Sequence, residues 1–346
     1  MSLIVKLPTP TLHAPVLSTG FAVGACTLFT LSYVGSLYLS PAGRLAGSKD
    51  AEGNRMHRDH PSVIRARMKT ASLATAITVV ATGWIVWVKE VVPPSGCLLD
   101  TLNISRLLGI PLPTPSLLTS RILPFDPPLP TYLARITGHI LSPLLLTSLL
   151  FLGPLHTLFL RGQLPFQSGF TLSRFLAPLR TLAGVRNFLV GPLTEELVFR
   201  SSLLTILSLS PLSSKKTLVF GSPAFFGMAH IHHAYNVYLQ GGRTKKAALN
   251  GALIAGVQFA YTMVFGWYAN FLFLRSASVS VPTVAHVLCN VLGLPNPGAD
   301  SEDYPKKRRC KWIWTTHAVG IVLFAKLLFP LTSAKVMGAS LYWPEL

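Results

Sequence analysis

Apolar runs, each about long enough to cross a bilayer, alternate with short polar stretches along most of this chain. Uncharged runs fall at Val16–Leu39, Ala71–Val88, Ile136–Leu160, Thr217–Asn236, Ala247–Leu274 and Val279–Leu294. Asn187–Ser210 and Trp314–Ala334 are similar but carry charges inside them. A spanning helix needs ~20 predominantly apolar residues. The pattern therefore predicts an all-α polytopic membrane protein with about eight transmembrane helices. Val16–Leu39 is too long for a signal-peptide core and lacks its basic flank, so it reads as a retained helix. The short run Val279–Leu294 contains Pro282, which a membrane helix tolerates where neighbours or a wet cavity satisfy the freed backbone groups. No repeat, nucleotide-binding glycine pattern or separate soluble region interrupts the series. It reads as one integral membrane domain over 1–346, with a catalytic core over about 185–294.

Composition agrees with the pattern, since half of the 346 residues are hydrophobic and 12% are charged, against roughly a quarter charged in soluble domains. The net charge of +18 follows from topology and implies no nucleic acid. With the spans alternating, loops 40–70, 161–186, 237–246 and 295–313 share one side and hold 19 of the 30 Lys and Arg. By the positive-inside rule that side is cytosolic, with both termini opposite. The basic clusters Arg55–Lys69 and Lys306–Lys311 read as topology signals, with anionic membrane lipids as secondary contacts. Cys26, Cys97, Cys289 and Cys310 show no metal or redox spacing. The Pro-rich stretch 93–135, with its apolar patch Leu107–Leu112, reads as a far-side loop dipping into the membrane surface. Its Asn103-Ile-Ser105 matches a glycosylation sequon by pattern alone.

Polar residues inside the spans carry the chemistry. Glu195 and Glu196 are the only acidic residues between Asp126 and Asp300, and an intramembrane ionisable group is a functional-site hypothesis by default. Three clusters recur: Glu195-Glu196-x-x-x-Arg200, Phe226-x-x-x-His230 followed by His232 and His233, and His286-x-x-x-Asn290. Counting 1.5 Å per residue from the cytosolic span ends puts all three roughly 9–12 Å deep, which suggests one site. Glu196 and Arg200, four apart, share a helical face and are expected to pair, while Glu195, turned by about 100°, faces a cavity. A partly desolvated carboxylate beside a second one suits a general base. His286 and Asn290, also four apart, could aim two donors at one oxygen, as an oxyanion hole requires. His230 is placed to orient a water or to protonate a leaving amine. Cys289 should point off the site, since consecutive helical residues diverge. A zinc site of Glu195, His230 and His286 is the rival chemistry, though no pair shows the helical His spacing of zinc proteases. Helix-to-helix hydrogen bonding is the non-catalytic reading of the same residues, and a membrane receptor or transporter binding an ion or lipid head group is its functional form.

The stretches Val185-Arg186-Asn187-Phe188, Pro192 to Arg200, Pro223 to His233 and His286 to Asn290 resemble the eukaryotic type II CAAX prenyl endopeptidases, the Ras-converting enzymes. The E-E-x-x-x-R, F-x-x-x-H and H-x-x-x-N set is shared with the wider family of glutamate-type membrane proteases. The resemblance covers about Val185 to Leu294. It implies eight membrane helices, an endoplasmic reticulum address with the site near the cytosolic face, and removal of the last three residues of a prenylated Cys-a-a-X terminus. Its substrates would be farnesylated or geranylgeranylated CaaX proteins such as small GTPases, with neither metal nor cofactor. Position by position, it makes Glu195 the water-activating glutamate, His230 its partner, and His286 with Asn290 the oxyanion stabilisers. Glu196 and Arg200 take supporting places. A related protease acting on unprenylated peptides is a nearer alternative than the receptor.

Overall fold

The computed structural model describes residues 15–43, 59–92, 96–110, 129–298 and 307–343. Of the features named above, Arg55, Arg58, Lys306, residues 93–95 and 111–128, and the side chains of His233 and Cys310 lie outside the described residues. Among the described residues every regular element is helical. The longer elements are α1 Thr19–Ser36, α2 Pro61–Val88, α3 Cys97–Leu107, α4 Leu129–Leu150 and α5 Leu152–Leu160. A short α6, Leu172–Leu176, leads to the continuous helical run 182–208, here α7. Then come α8 Pro223–Ala229, α9 His232–Gln240, α10 Lys245–Ser276, α11 Ser280–Leu292, α12 Lys307–Leu331 and α13 Ala334–Met337. Four helices among the described residues are long and apolar enough to cross a membrane: Pro61–Val88, Tyr132–Leu150, Lys245–Ser276 and Lys311–Leu331.

All eight expected runs are helical, but two are broken. Ile136–Leu160 is interrupted at Phe151, between α4 and α5. Thr217–Asn236 is interrupted at His230 and Ile231, between α8 and α9. The depth count, which took each span as one straight helix, therefore fails for His230.

Burial is turned inside out in α2. Thr75, Thr78 and Thr82 face inward, while Leu73, Ile77, Val80, Trp84 and Trp87 form an exposed stripe at helical spacing. The inward hydroxyls of Thr75 and Thr82 bond back to the carbonyls of Ala71 and Thr78 at 2.8 Å, so the helix satisfies its own polar atoms. Water would oppose such a stripe, whereas lipid accepts it. The chain is a multi-pass membrane protein.

α7 lies at the centre, and Val198 to Ser210 is buried throughout. α1 begins beside its far end, where the amides of Val16 and Leu17 both donate to the carbonyl of Leu209 at 2.9 Å. The stretch 93–135 departs from its reading as a surface loop. Residues 97–107 form α3, and Leu107 and Leu108 are buried in protein. Their carbonyls explain why. Ser201 Oγ on α7 donates to Leu108 O at 2.6 Å, and the hydroxyl of Tyr342 donates to Leu107 O. Asn103 is 1% exposed, so a glycan on its amide has no room in this fold.

The two helices that carry the acidic pair and His230 each meet a proline in the same way. Proline lacks an N–H and crowds the carbonyl four residues back. Immediately before Pro192 the chain widens into a π turn, Arg186–Val190, closed by Gly191 N–H to Arg186 O. Before Pro223 a second π turn, Thr217–Gly221, closes through Ser222 N–H to Thr217 O. Such single turns accommodate the misfit and recur at functional sites. The carbonyls left over by the second turn are met from α10. Asn270 Nδ2 donates to Leu218 O at 2.8 Å, and Trp267 Nε1 donates to Phe220 O at 3.2 Å. Pro282 needs no such help, because it lies in the first turn of α11, where an N–H has no intrahelical acceptor.

Asn270 is 2% exposed and also donates to Ser222 Oγ at 2.7 Å. Asn270→Ala is expected to lower stability by about 1 kcal/mol by removing two buried hydrogen bonds between helices, while the Leu218 carbonyl keeps the Ser222 hydroxyl as a donor at 2.8 Å. Thermal unfolding in detergent measures this, and an unchanged midpoint would show that the π turn stands without its side-chain clasp.

Candidate active site

Glu195 and Glu196 occupy the last turn of the α-helical segment Gly191–Glu196, just before α7 widens again into a π turn over Leu197–Ser202. Their surroundings differ. The Glu196 side chain is 0% exposed, whereas that of Glu195 is 22% exposed. As the four-residue spacing predicts, Arg200 Nη1 donates to Glu196 Oε1 at 3.1 Å. Arg200 is itself fully buried, with its guanidinium 4.4 Å from the ring centre of Phe226 and 5.4 Å from that of Phe265. Two aromatic faces thus supplement one carboxylate around a cation that water does not reach.

The same carboxylate oxygen holds a second donor. His286 Nδ1 lies 2.7 Å from Glu196 Oε1, and its other nitrogen, Nε2, lies 3.7 Å from Glu195 Oε2. An ionised carboxylate only accepts, so Nδ1 carries a proton, and in the neutral ring Nε2 carries the lone pair. Donation from Nε2 requires the doubly protonated ring. Helical spacing accounts for the contact of Glu196 with Arg200 but not for the one with His286, which joins α7 to α11 and sets the orientation of that ring.

His230 is fixed by its own helix. Its Nδ1 lies 2.8 Å from the carbonyl of Phe226, so it donates there and leaves Nε2 as the basic nitrogen of the neutral ring. The Phe226 ring stands edge-on to the imidazole, with centres 4.8 Å apart. The F-x-x-x-H spacing thus has a local cause, since Phe226 supplies His230 with an acceptor through its backbone and Arg200 with a platform through its ring. Asn290 is anchored by donation from Nδ2 to the carbonyl of Asn187 at 2.8 Å. A carboxamide nitrogen carries two hydrogens, so a second donor remains.

Glu195, His230, His286 and Asn290 stand where two cavities meet, and all four line both. One cavity, of about 580 Å³, includes Tyr33, Arg67, Arg186, Asn236 and Gln258 in its wall. The other, of about 980 Å³, is walled mainly by apolar side chains such as Phe220, Phe265, Trp267, Phe271 and Phe324. His232 lines the polar cavity, with Nδ1 donating to Ala229 O at 2.7 Å. Cys289, expected to point away, instead lines the apolar cavity. Neighbours on a helix diverge, but this cavity is broad enough to touch both Cys289 and Asn290. Among the described residues no three His, Cys, Asp or Glu side chains converge on one metal position.

Several contributors carry no motif. Thr194 Oγ1 donates its hydrogen bond to Val190 O at 2.8 Å, so the Tyr33 hydroxyl of α1 is the donor in its 3.0 Å contact with Thr194 Oγ1. The link braces the turn before Glu195 from a helix more than 150 residues away in sequence. Phe265 and Arg67 likewise lie in runs where an aromatic or basic residue has a blander explanation, so nothing in their spacing marked them.

The chain has clear relatives. A family model described as Type II CAAX prenyl endopeptidase Rce1-like matches residues 177–292. A human protein named CAAX prenyl protease 2 is 33% identical over 332 residues, covering 94% of this chain and 85% of that protein. A Schizosaccharomyces pombe protein named probable CAAX prenyl protease 2 is 31% identical over 267 residues, 77% of this chain and 79% of the relative. An Arabidopsis thaliana CAAX prenyl protease 2 is 38% identical over 147 residues, 42% of this chain and 43% of the relative. No solved structure matches.

The buried pair makes a particular demand on stability. Glu196→Ala or Arg200→Ala alone is expected to cost about 3–5 kcal/mol by stranding a buried charge, whereas joint replacement by Leu and Met should recover most of that loss. Thermal unfolding in detergent measures both. The double variant should still turn over slowly, its loss bounded by the roughly 10²–10³ typical of removing one oxyanion donor, because His286 would have lost the acceptor that orients it.

Proposed function

The chain belongs to the type II CAAX prenyl endopeptidase family, and on that premise we propose that it removes the C-terminal tripeptide of prenylated CaaX proteins by attack of an activated water. The observation that carries the reading is the junction, at Glu195, His230, His286 and Asn290, of two cavities of unlike character, the smaller of them the more polar. A prenylated CaaX terminus has the same two characters, a hydrocarbon chain on Cys and a peptide beyond it. The apolar cavity suits farnesyl or geranylgeranyl, and the polar cavity suits a-a-X. Each buried CH₂ adds about 0.8 kcal/mol of membrane affinity, so the substrate arrives at the site already concentrated in the bilayer. The basic loops favour entry from the cytosolic leaflet, and we assign the endoplasmic reticulum as the membrane. Small GTPases are the expected kind of client.

In the proposed mechanism a water lies between Glu195 and His230. Glu195 accepts its proton as the hydroxide oxygen adds to the carbonyl carbon of the prenyl-cysteine. His230, whose basic nitrogen is Nε2, accepts the water's second hydrogen as a hydrogen bond and so aims the lone pair. Negative charge gathers on the former carbonyl oxygen, where Asn290 Nδ2 and a doubly protonated His286 donate. Donors that are already oriented stabilise this charge without reorganisation. The tetrahedral species then collapses, the C–N bond breaks, and the departing amine takes the proton held by Glu195. Partial exposure of Glu195 fits it for the base. The fully buried Glu196, already engaged twice, fits a positioning role. No metal ion has a part in the scheme.

Purified protein given a farnesylated peptide is expected to release the a-a-X tripeptide, and an unprenylated twin should be cleaved far more slowly. Equal rates would indicate the related protease for unprenylated peptides. Glu195→Gln preserves shape and should lower kcat by roughly 10²–10⁴ without loss of folding, while a membrane-permeant zinc chelator should leave turnover unchanged.

His286→Ala and Asn290→Ala should each lower kcat by about 10²–10³ with peptide affinity nearly unchanged. Because both donors serve one oxygen, the double variant should fall short of the product of the single effects. Weakened binding at constant kcat would instead make them contacts to the substrate ground state.

A further inference from the structure

The proposed chemistry needs Glu195 and His230 to share one water, yet the backbone that carries Glu195 is poorly determined by its own helix. The α-helical segment Gly191–Glu196 holds only six residues and lies between two π turns, Arg186–Val190 and Leu197–Ser202. A π turn shifts the hydrogen-bond register by one residue, and each residue of an α-helix turns the chain by about 100°. The direction of Glu195 therefore depends on where the widening begins and ends, and Pro192 has no N–H with which to fix it. A contact from outside the helix must do so.

Tyr33 of α1 supplies that contact. Its hydroxyl donates to Thr194 Oγ1 at 3.0 Å. Thr194 Oγ1 lies 2.8 Å from Val190 O and 3.0 Å from Gly191 O, the two carbonyls at which the π turn gives way to the α-helical segment. Both side chains are buried, which strengthens these bonds by shielding them from water. The ring of Tyr33 stands edge-on to Phe199 with centres 5.9 Å apart, and Phe199 meets Phe226 at 5.1 Å. Phe226 in turn holds His230 through its carbonyl at 2.8 Å. α1 packs against both α7 and α8. One side chain thus reaches the helix of the base through its hydroxyl and the helix of His230 through its ring.

Packing alone gives no reason for that hydroxyl. A buried threonine satisfies its own proton on the preceding turn, as Thr75 and Thr82 do in α2, and Thr194 does the same. Phenylalanine at position 33 would fill the same ring volume without bringing a buried O–H that has to find an acceptor. We infer that Tyr33 is a positioning residue for the reaction: acting through Thr194, it fixes the direction of Glu195 relative to His230 without touching the reacting atoms. The inference rests on the proposed function.

The test compares kcat and KM of full-length protein in detergent on one farnesylated CaaX peptide. Tyr33→Phe and Thr194→Val should each lower kcat about 10- to 100-fold, the scale of a misplaced catalytic group, with KM nearly unchanged. The double variant should be no slower than the slower single one, because both remove the same bond. Thr194→Ser keeps the hydroxyl and should recover most of the rate. The decisive comparison is made with Glu195→Gln, where no base remains to be aimed and adding Tyr33→Phe should leave the residual kcat unchanged. A further fall there would reveal a general structural role and overturn the inference. So would full kcat in Tyr33→Phe, or full kcat in Thr194→Val beside a loss in Tyr33→Phe, which would make the tyrosine a direct contact to substrate. Amide hydrogen exchange over residues 190–198, followed by mass spectrometry without substrate, should quicken in Tyr33→Phe and Thr194→Val alike, and unchanged exchange in both would also overturn it. If exchange quickens but the unsubstituted protein cleaves no peptide, the brace on Glu195 stands and the proposed hydrolysis fails.

Discussion

Burying Arg200 completely takes a cation out of water at a cost of several kcal/mol unless nearby groups compensate it. Compensation comes from one oxygen of Glu196 and from the faces of Phe226 and Phe265. That same oxygen accepts from His286, so one carboxylate draws three helices together: α7 through its own backbone, α8 through Phe226 beneath Arg200, and α11 through His286. The geometry of the candidate site depends on this contact. Were Glu196 displaced, Arg200 would lose its anionic partner and His286 the acceptor that fixes its tautomer, and Glu195 would lose the adjoining turn that holds its direction.

This economy explains why two adjacent glutamates behave unlike each other. Consecutive residues on a helix diverge by about 100°, so one turns into protein while the next faces the cavities. The buried one organises charge, and the partly exposed one keeps access to water. A single carboxylate could not serve both ends, because the environment that makes an anion a good structural acceptor withholds it from a reactant.

The backbone around the cluster is irregular for a related reason. Helices crossing a membrane must satisfy every N–H and C=O within protein, yet a site needs polar side chains to converge and a cavity to open between helices. Prolines at 192 and 223 impose local misfit, and each follows a π turn that absorbs it. The break after Ala229 ends α8 where His230 can fold Nδ1 back onto the Phe226 carbonyl. Asn270 and Trp267 then meet carbonyls that the second π turn leaves over. Irregularity is confined to places where neighbouring helices supply the missing partners.

Much of this was legible in the sequence because the bilayer is a severe solvent. Apolar runs of spanning length, the low share of charged residues and the rarity of acidic ones identify the membrane class and make Glu195 with Glu196 conspicuous. The four-residue spacing of Glu196 and Arg200 sufficed for their pairing, since a helix brings such positions together unaided. What lay beyond reach was whatever requires two elements at once. His286 on Glu196, Asn290 on the Asn187 carbonyl, Tyr33 on Thr194 and Cys289 on a cavity wall join positions up to 161 residues apart, and no local periodicity encodes such distances. For the same reason Leu107 and Leu108 read as a membrane-surface patch when they are protein core, and His230 read as part of a straight helix that in fact ends there. Sequence fixes which side chains a helix shares on one face; only packing decides which faces meet, because that choice is made by the buried charge, carbonyls and aromatic surface that neighbouring helices must jointly satisfy.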